Sequence, residues 1–120
     1  MPLPQWYRIE RSWEDGGERM FRLLLLSDSD IYAAHFPGRP ITPGACLLQM
    51  ALELTEATLQ RPLEVTQVRN IKFKNIISPT ETPEITVVFK SIRPTSDGVS
   101  VKAEITNNAE VFSLLSFICR

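Results

Sequence analysis

The sequence predicts an α+β protein in which an antiparallel β-sheet wraps around one long, buried helix. Helix-forming residues dominate the run from Ala45 to Gln60, the one long helical pattern in the chain. Apolar residues between positions 45 and 54 surround the axis of that helix, which is typical of a helix buried on most sides. The other segments alternate apolar and polar residues between turn signals, as antiparallel strands do.

Length and composition narrow the possible classes. A chain of 120 residues is expected to form one domain, residues 1–120, with a single core. The hydrophobic content of 43% and charged content of 22% are ordinary for a soluble globular protein. The net charge of −1 and the scattered basic residues argue against a nucleic-acid partner.

The expected environment is the cytoplasm. The N-terminus lacks the basic and apolar regions of a signal peptide, and no apolar run is long enough to span a membrane. The two cysteines, Cys46 and Cys119, predict buried or free thiols in a reducing compartment. We expect neither a metal ion nor another cofactor.

The N-terminal part is expected to form a hairpin. Residues 5–13 and 19–26 are the two strands, and Asp15-Gly16-Gly17 is the turn signal between them. A polar break at residues 27–30 is followed by a short turn or helical piece at 31–34. The central helix is expected to end near Pro62, because proline cannot continue it.

The remaining strands are expected at residues 65–77, 84–93, 99–106 and 111–119. The irregular alternation of residues 65–77 predicts a long strand with a bend or bulge. Hairpin turns are expected at residues 96–98 and at Asn107-Asn108. The strand at 84–93 is expected to place four residues on one face (Ile85, Val87, Phe89 and Ser91) and four on the other (Thr86, Val88, Lys90 and Ile92).

A stiff loop precedes the helix and contains the chain's single histidine. Its sequence from His35 to Gly44 is HFPGRPITPG. Three prolines restrict the backbone, so the loop can hold a side chain in a fixed direction. The first N–H groups of the helix, near Gly44 and Ala45, have no intrahelical partners and lie at the positive end of the helix dipole. This predicts an oxyanion-type site at the start of the helix.

This loop, the buried helix after it and the later segment IKFKNIISP (residues 71–79) resemble the hotdog-fold 3-hydroxyacyl-[acyl-carrier-protein] dehydratases. They also resemble the relatives of those enzymes in polyene and polyketide pathways. The resemblance covers the chain from about residue 20 to its end. It implies a sheet wrapped around the helix, a dimer formed by continuing the sheet between subunits, and an active site shared across that dimer.

The resemblance also implies a role for individual residues. His35 would remove the α-proton of a 3-hydroxyacyl thioester, a role that suits imidazole near neutral pH. The N–H of Gly44 would hold the thioester carbonyl. Ala45, Phe36 and Tyr32 are further candidates for substrate binding, although the two aromatic residues fit a hydrophobic core equally well.

The sequence departs from the family at the position of the catalytic acid. Such an acid usually lies 14 positions after the histidine, on the helix of the partner subunit, and that position here is Gln49. An amide can hydrogen-bond a hydroxyl but supplies no proton near pH 7. Two carboxylates on the same stripe of the helix could compensate: Glu53, about one turn further along, and Glu56, seven residues after Gln49.

Three functions follow. The first is dehydration of carrier-linked 3-hydroxyacyl thioesters to trans-2-enoyl thioesters in fatty-acid or polyene-type biosynthesis, with His35 and either Gln49 or Glu53 as catalytic residues. The second is a catalytically impaired hotdog subunit that pairs with an active paralogue or binds acyl carrier protein. The third is an acyl thioesterase, against which the histidine loop argues.

The expected partners follow from the same resemblance. They are acyl carrier protein or a coenzyme A thioester as substrate, and a second hotdog subunit in a homodimer or a hetero-oligomer. Arg39, Lys72 and Lys74 are candidates for contacts with an acidic carrier protein, although a solvated surface is the default interpretation of each.

Overall fold

The described residues form one antiparallel sheet and two helices. A computed structural model describes residues 5–35, 38 and 40–120, without the side chains of Ala34 and His35. Its strands are β1 (Tyr7–Asp15), β2 (Glu18–Leu25), β3 (Val65–Phe73), β4 (Glu84–Thr95), β5 (Gly98–Asn107) and β6 (Glu110–Cys119), and its helices are α1 (Asp30–His35) and α2 (Gly44–Leu59). The strand order is β1-β2-β4-β5-β6-β3, so β1 and β3 are the edges of the sheet within the described residues.

Helix α2 packs against the inner face of the sheet, as predicted. Its buried residues are Cys46, Leu47, Met50, Ala51, Leu52, Leu54 and Thr55. They share one core with inner-face residues of the strands, such as Phe89, Val101 and Phe117. The helix ends at Leu59, because Gln60 adopts a left-handed conformation with φ of 57° and its N–H donates to the carbonyl of Glu56.

The predicted hairpins are present, with one shift. Strands β1 and β2 pair around the predicted turn, with a register shift between Ile9 and Arg11. The β5–β6 turn lies one residue later than expected, at Asn108 and Ala109, which both have positive φ. Positive φ at both central residues is what a tight hairpin turn of this kind requires.

The prediction that one strand runs from residue 65 to 77 is wrong at its C-terminal end. Strand β3 ends at Phe73, where the N–H groups of Lys74 and Asn75 both donate to the carbonyl of Phe112. Two successive donors on one acceptor break the regular antiparallel ladder. The predicted irregularity is present as two register shifts, between Val65 and Gln67 and between Val68 and Asn70.

The predicted faces of β4 are correct only up to Phe89. A register shift between Phe89 and Ser91 makes Lys90 an extra residue in the strand. Ser91 is therefore opposite the exposed Lys102, and Ile92 is opposite the fully buried Val101. Ile92 packs against the core instead of lying on the outer face.

Candidate active site

A buried hydrogen bond ties together the two ends of the histidine loop. The hydroxyl groups of Tyr32, on α1, and Thr42, two residues before α2, lie 3.0 Å apart. Both side chains are buried, with exposures of 2% and 6%. The N–H of Thr42 also donates to the carbonyl of Ile77 at 2.8 Å, which anchors the loop to the segment after β3. The end of α1 and the start of α2 are thereby held in one region.

Two of the predicted site residues, His35 and Phe36, lie partly or wholly outside the described residues. His35 is the last residue of α1, but its side chain lies outside the described part of the chain. Phe36 lies outside the described residues altogether, as does Arg39. The roles of His35 as a base and of Phe36 as a substrate contact therefore stay predictions.

The start of α2 offers free backbone donors. Pro43 has an extended conformation, and no described side chain caps the helix. The N–H groups of Cys46 and Leu47 donate to the carbonyl of Pro43, at 3.0 and 3.2 Å. Within residues 5–35, 38 and 40–120, the N–H groups of Gly44 and Ala45 donate to no backbone acceptor. They are suitably placed to bind a carbonyl oxygen that gains negative charge.

An aromatic ring covers Gly44. A Cβ atom at position 44 would lie only 2.5 Å from Cζ of Phe73, so the ring packs directly against the glycine. Phe73 is the last residue of β3 and is 54% exposed. The two residues line a cleft of about 270 Å³ between the start of α2 and residues 73–77. With the ring in this position, there is no room for a Cβ atom at position 44.

Gln49, at the position of the family's catalytic acid, and Glu53, its candidate replacement, belong to one hydrogen-bonded network. The hydroxyl of Tyr7 donates to Oε1 of Glu53 at 2.6 Å, and Nε2 of Gln49 donates to Oε2 of Glu53 at 3.2 Å. Burial of Tyr7 and its hydrogen bond to the Glu53 carboxylate raise the pKa of the Tyr7 hydroxyl. The tyrosine therefore remains a donor at neutral pH, and both carboxylate oxygens of Glu53 accept a hydrogen bond.

These hydrogen bonds determine which polar atoms of the helix side chains remain available to a ligand. Glu53 links α2 to β1 and is held as a hydrogen-bond acceptor, which is a poor arrangement for a proton donor. Gln49 is exposed, and its amide nitrogen is engaged with Glu53. Its carbonyl oxygen remains to accept a hydrogen bond from a ligand hydroxyl. Glu56, a further acid on this stripe, accepts from the N–H of Leu63 at 2.8 Å and so stabilises the chain after the helix.

The other predicted residues occupy different environments. Tyr32 is a core residue that is bonded to Thr42, whereas Ala45 is exposed beside Gly44. Cys46 and Cys119 are free, buried thiols, as expected. Burial raises the pKa of both thiols, which keeps them protonated and poorly nucleophilic.

Sequence reasoning missed three residues of this site. Tyr7 and Thr42 carry no local signal, because their importance depends on contacts with residues 46 and 10 positions away. Phe73 belongs to the segment that resembles the dehydratases, but only the end of β3 at this residue places its ring on Gly44.

The geometry agrees with a comparison against known families. The model of the ApeI-like family, described as ApeI dehydratase, matches residues 12–113. The chain belongs to the ApeI-like dehydratase family. This match supports a dehydratase-type function and confirms the resemblance that the histidine loop predicted.

Individual relatives are more distant. The chain is 26% identical over 96 residues to the 3-hydroxyacyl-[acyl-carrier-protein] dehydratase FabZ of Rickettsia massiliae, a match that covers 70% of this chain and 66% of that protein. For the FabZ protein of Rickettsia canadensis the identity is 25% and the coverage 70% and 67%. The chain thus spans about two thirds of the length of these curated relatives.

Solved structures confirm the fold. The dehydratase heterocomplex ApeI:P of Xenorhabdus doucetiae aligns with a TM-score of 0.61 and 16% identity, covering 99% of this chain and 97% of the matched chain. A protein of Erwinia carotovora subsp. atroseptica aligns with a TM-score of 0.58 and 16% identity, covering 100% and 96%. The six-stranded sheet packed on a helix is the α+β hotdog arrangement that the sequence predicted.

Among the side chains that the structure describes, no group of three His, Cys, Asp or Glu residues could hold a metal ion. In the same part of the chain, neither helix has the length and apolar character needed to cross a membrane.

Proposed function

We propose that this protein dehydrates 3-hydroxyacyl thioesters, carried on acyl carrier protein, to trans-2-enoyl thioesters, and that a second hotdog subunit completes its active site. The observation that carries the proposal is the Tyr32–Thr42 hydrogen bond. It joins α1, which ends at His35, to the residues just before α2. The family match and the free N–H groups at Gly44 and Ala45 support the same reaction.

The proposed chemistry divides into three roles. The imidazole of His35 takes a proton from C2 of the thioester. The N–H of Gly44 stabilises the charge that develops on the carbonyl oxygen as that proton leaves. The C2–C3 double bond forms as the C3–O bond breaks, and the hydroxyl leaves with one proton as water. This last step needs a proton donor, and in our proposal this chain does not supply one.

A second subunit is the proposed source of that donor. Gln49 has no acidic proton, and Glu53 is occupied by Tyr7 and Gln49. A carboxylic acid on the helix of another subunit would supply the proton without disturbing this network. The likeness to a protein whose structure is a dehydratase heterocomplex supports a mixed assembly, although at 16% identity it establishes only the fold.

The carrier and the reaction class are supported separately. The Rickettsia relatives are dehydratases of 3-hydroxyacyl-[acyl-carrier-protein], which supports a carrier-linked substrate. A thioesterase that uses a helix glutamate is less well supported. Glu53 is the candidate for that role, and its oxygens already accept two hydrogen bonds.

Complementation between subunits tests the proposal. One tagged copy is the parent chain, which has the base and no acid. The other, with a different tag, is the His35→Ala/Gln49→Glu variant, which has a carboxyl group at position 49 and no base. Co-expressed pairs recovered through both tags are assayed for conversion of a 3-hydroxyacyl thioester by mass spectrometry.

The mixed pair is expected to exceed the parent by about 100-fold or more, the usual contribution of a general acid. A pair of the parent and the His35→Ala variant is the matched control, because it lacks the introduced acid. A mixed pair no faster than this control would contradict a site shared between subunits.

A further inference from the structure

Strand β3 exposes apolar side chains at one edge of the sheet. Within the described residues it pairs with β6 on one side and with no strand on the other. Three large apolar residues on or just after β3 are about half exposed, namely Val68 (47%), Phe73 (54%) and Ile76 (59%). The other edge strand, β1, has one such residue, Ile9. An open edge that also exposes apolar side chains is suited to pairing with a further strand.

The two faces of β3 differ in chemistry. Its residues that pair with residues of β6 at most 2% exposed are all apolar: Val65, Val68, Ile71 and Phe73. Lys72 lies between two of these and therefore points to the opposite, outer face. Arg69 is the extra residue at the register shift between Val68 and Asn70. The edge thus combines an apolar inner row with cations outside that row.

The cations of β3 have no counter-charge. Arg69 and Lys72 are exposed and form no ion pair with any residue that the structure describes. The sequence from residue 65 to 80 contains no Asp or Glu, and a third cation, Lys74, directly follows the strand. Strand β1 instead carries charges of both signs, which are Arg8, Glu10, Arg11, Glu14 and Asp15.

Pairing of two copies of β3 is therefore opposed by charge in every register. The strand has nine residues, or about 30 Å, and paired strands lie about 5 Å apart. Two copies would place Arg69 and Lys72 of each along this length without a carboxylate on either strand. Like charges on paired strands are destabilising, whereas opposite charges are stabilising.

A partner on β3 would lie next to the candidate site. Phe73, the last residue of the strand, packs on Gly44, and Phe73 and Ile76 both line the cleft there. A subunit that pairs with β3 is thus adjacent to the cleft for which the proposed function requires an external proton donor. Strand β1 lies at the other edge of the sheet.

We propose that the β3 edge selects its partner subunit by charge, and that this partner is a different hotdog chain whose own edge strand carries carboxylates opposite Arg69 and Lys72. The assignment rests on the proposed function, which requires a second subunit, and adds the chemistry by which that subunit is chosen. Apolar contacts with Val68 and Phe73 are open to any hotdog edge. The charges discriminate, because they repel a second copy of this chain and attract an acidic edge.

Charge changes on full-length chains test the proposal. The Arg69→Glu/Lys72→Glu variant serves as the acidic-edge partner, and Arg69→Gln/Lys72→Gln removes the charge without reversing it. The control, Arg93→Glu/Lys102→Glu, makes the same change in net charge at exposed positions of the interior strands β4 and β5. Sedimentation velocity with one fluorescently labelled chain measures the Kd of each homodimer and of each variant mixed with the parent.

The parent mixed with Arg69→Glu/Lys72→Glu is expected to have a Kd about tenfold lower than the parent homodimer, because repulsion becomes attraction at several sites. The Arg69→Gln/Lys72→Gln homodimer should also be tighter than that of the parent. The control should bind the parent no more tightly than the parent binds itself. Raising NaCl from about 0.05 M to about 0.5 M should strengthen the parent homodimer and weaken the mixed pair, since salt screens both interactions.

Three results would overturn the assignment. They are a parent homodimer as tight as the mixed pair, an equal gain with the control, and self-association of the parent that weakens as salt is raised. The last measurement uses no variant and so does not depend on how the substituted chains fold. Failure of the proposed function is seen separately, as absence of turnover in the complementing pairs, because association is measured without substrate.

Discussion

The start of α2 and the stripe of α2 that carries Gln49 and Glu53 differ in how many of their polar groups already have a hydrogen-bond partner. At the start, Gly44 lines a cleft, and the N–H groups of Gly44 and Ala45 have no backbone acceptor among the described residues. On the stripe, Gln49 and Glu53 bind each other, and Glu53 also binds Tyr7. Both regions belong to the same helix.

This difference indicates that the start of α2 is suited to ligand binding and that the Glu53 carboxylate has a structural role. Free donors at a helix N-terminus are ready to receive an oxyanion, at no cost in broken internal contacts. The carboxylate of Glu53 would have to lose hydrogen bonds before it could act on a substrate. In the proposed function, the start of α2 is the part of the site that this chain supplies, whereas Glu53 is used to hold α2 against β1.

Removing the Tyr32–Thr42 hydrogen bond should have the largest effect on stability. Thr42→Val keeps the shape of the side chain but leaves the buried Tyr32 hydroxyl without its partner. We expect the free energy of unfolding to fall by about 2 kcal/mol, the cost of an unsatisfied buried hydroxyl. Urea denaturation measures it. The double variant Tyr32→Phe/Thr42→Val should recover most of the loss, and no recovery would refute the role of this bond.

Removing the Tyr7 hydroxyl tests the hydrogen-bonded network of Tyr7, Gln49 and Glu53. Tyr7→Phe should lower the free energy of unfolding by about 1 kcal/mol, because half-buried Glu53 can regain water in place of the lost donor. The raised pKa of Tyr7 also predicts a pH dependence. Below about pH 10 the hydroxyl is protonated in both states, and above it the unfolded chain ionises first, so stability falls.

Urea midpoints measured across this pH range should therefore fall more steeply for the parent than for Tyr7→Phe. Tyr32 and all other ionisable side chains are present in both proteins, so the difference between the two slopes isolates Tyr7. Identical slopes would show that the hydroxyl is not held by burial and Glu53.

The smallest effect is expected at the start of α2. Gly44→Ala places a methyl group against the Phe73 ring, which must rotate. An off-rotamer displacement costs about 0.5–1.5 kcal/mol, partly offset by the better helix propensity of alanine. We expect a net loss below about 1 kcal/mol in thermal or urea unfolding. In a Phe73→Ala background the same substitution should be neutral or stabilising, and an equal loss there would exclude the ring as its cause.

Much of the fold was predictable because its signals are local. Alternation and turn residues located the β1–β2 hairpin, and helix formers ending before Pro62 located α2. The errors arose where one strand departs from a regular ladder. The bulge at Lys90 moves Ile92 to the core face, and the shared carbonyl of Phe112 ends β3 at Phe73. Alternation along one strand carries no information on either event.

The candidate site was predictable only in part. The histidine loop and Gly44 are contiguous in sequence, so their pattern could be recognised directly. The engagement of Glu53 by Tyr7 depends on a contact across 46 residues, and the packing of Phe73 on Gly44 depends on where β3 ends. Glu53 was therefore a reasonable replacement acid from helix geometry alone, and only the folded structure shows that its oxygens are occupied.

The most direct test of this account is the dehydration rate of the Gln49→Glu variant, measured in assemblies that contain only copies of that variant. A carboxyl group at position 49, one turn from Glu53, would share a proton with that carboxylate and could donate it. The Gln49→Glu/Glu53→Gln variant is the control, since it keeps the introduced group without the pairing. We predict that mass spectrometry will show 3-hydroxyacyl thioester conversion about 100-fold to 10,000-fold faster for Gln49→Glu than for the parent chain. An equal or slower rate would contradict the claim that this chain lacks only the acid.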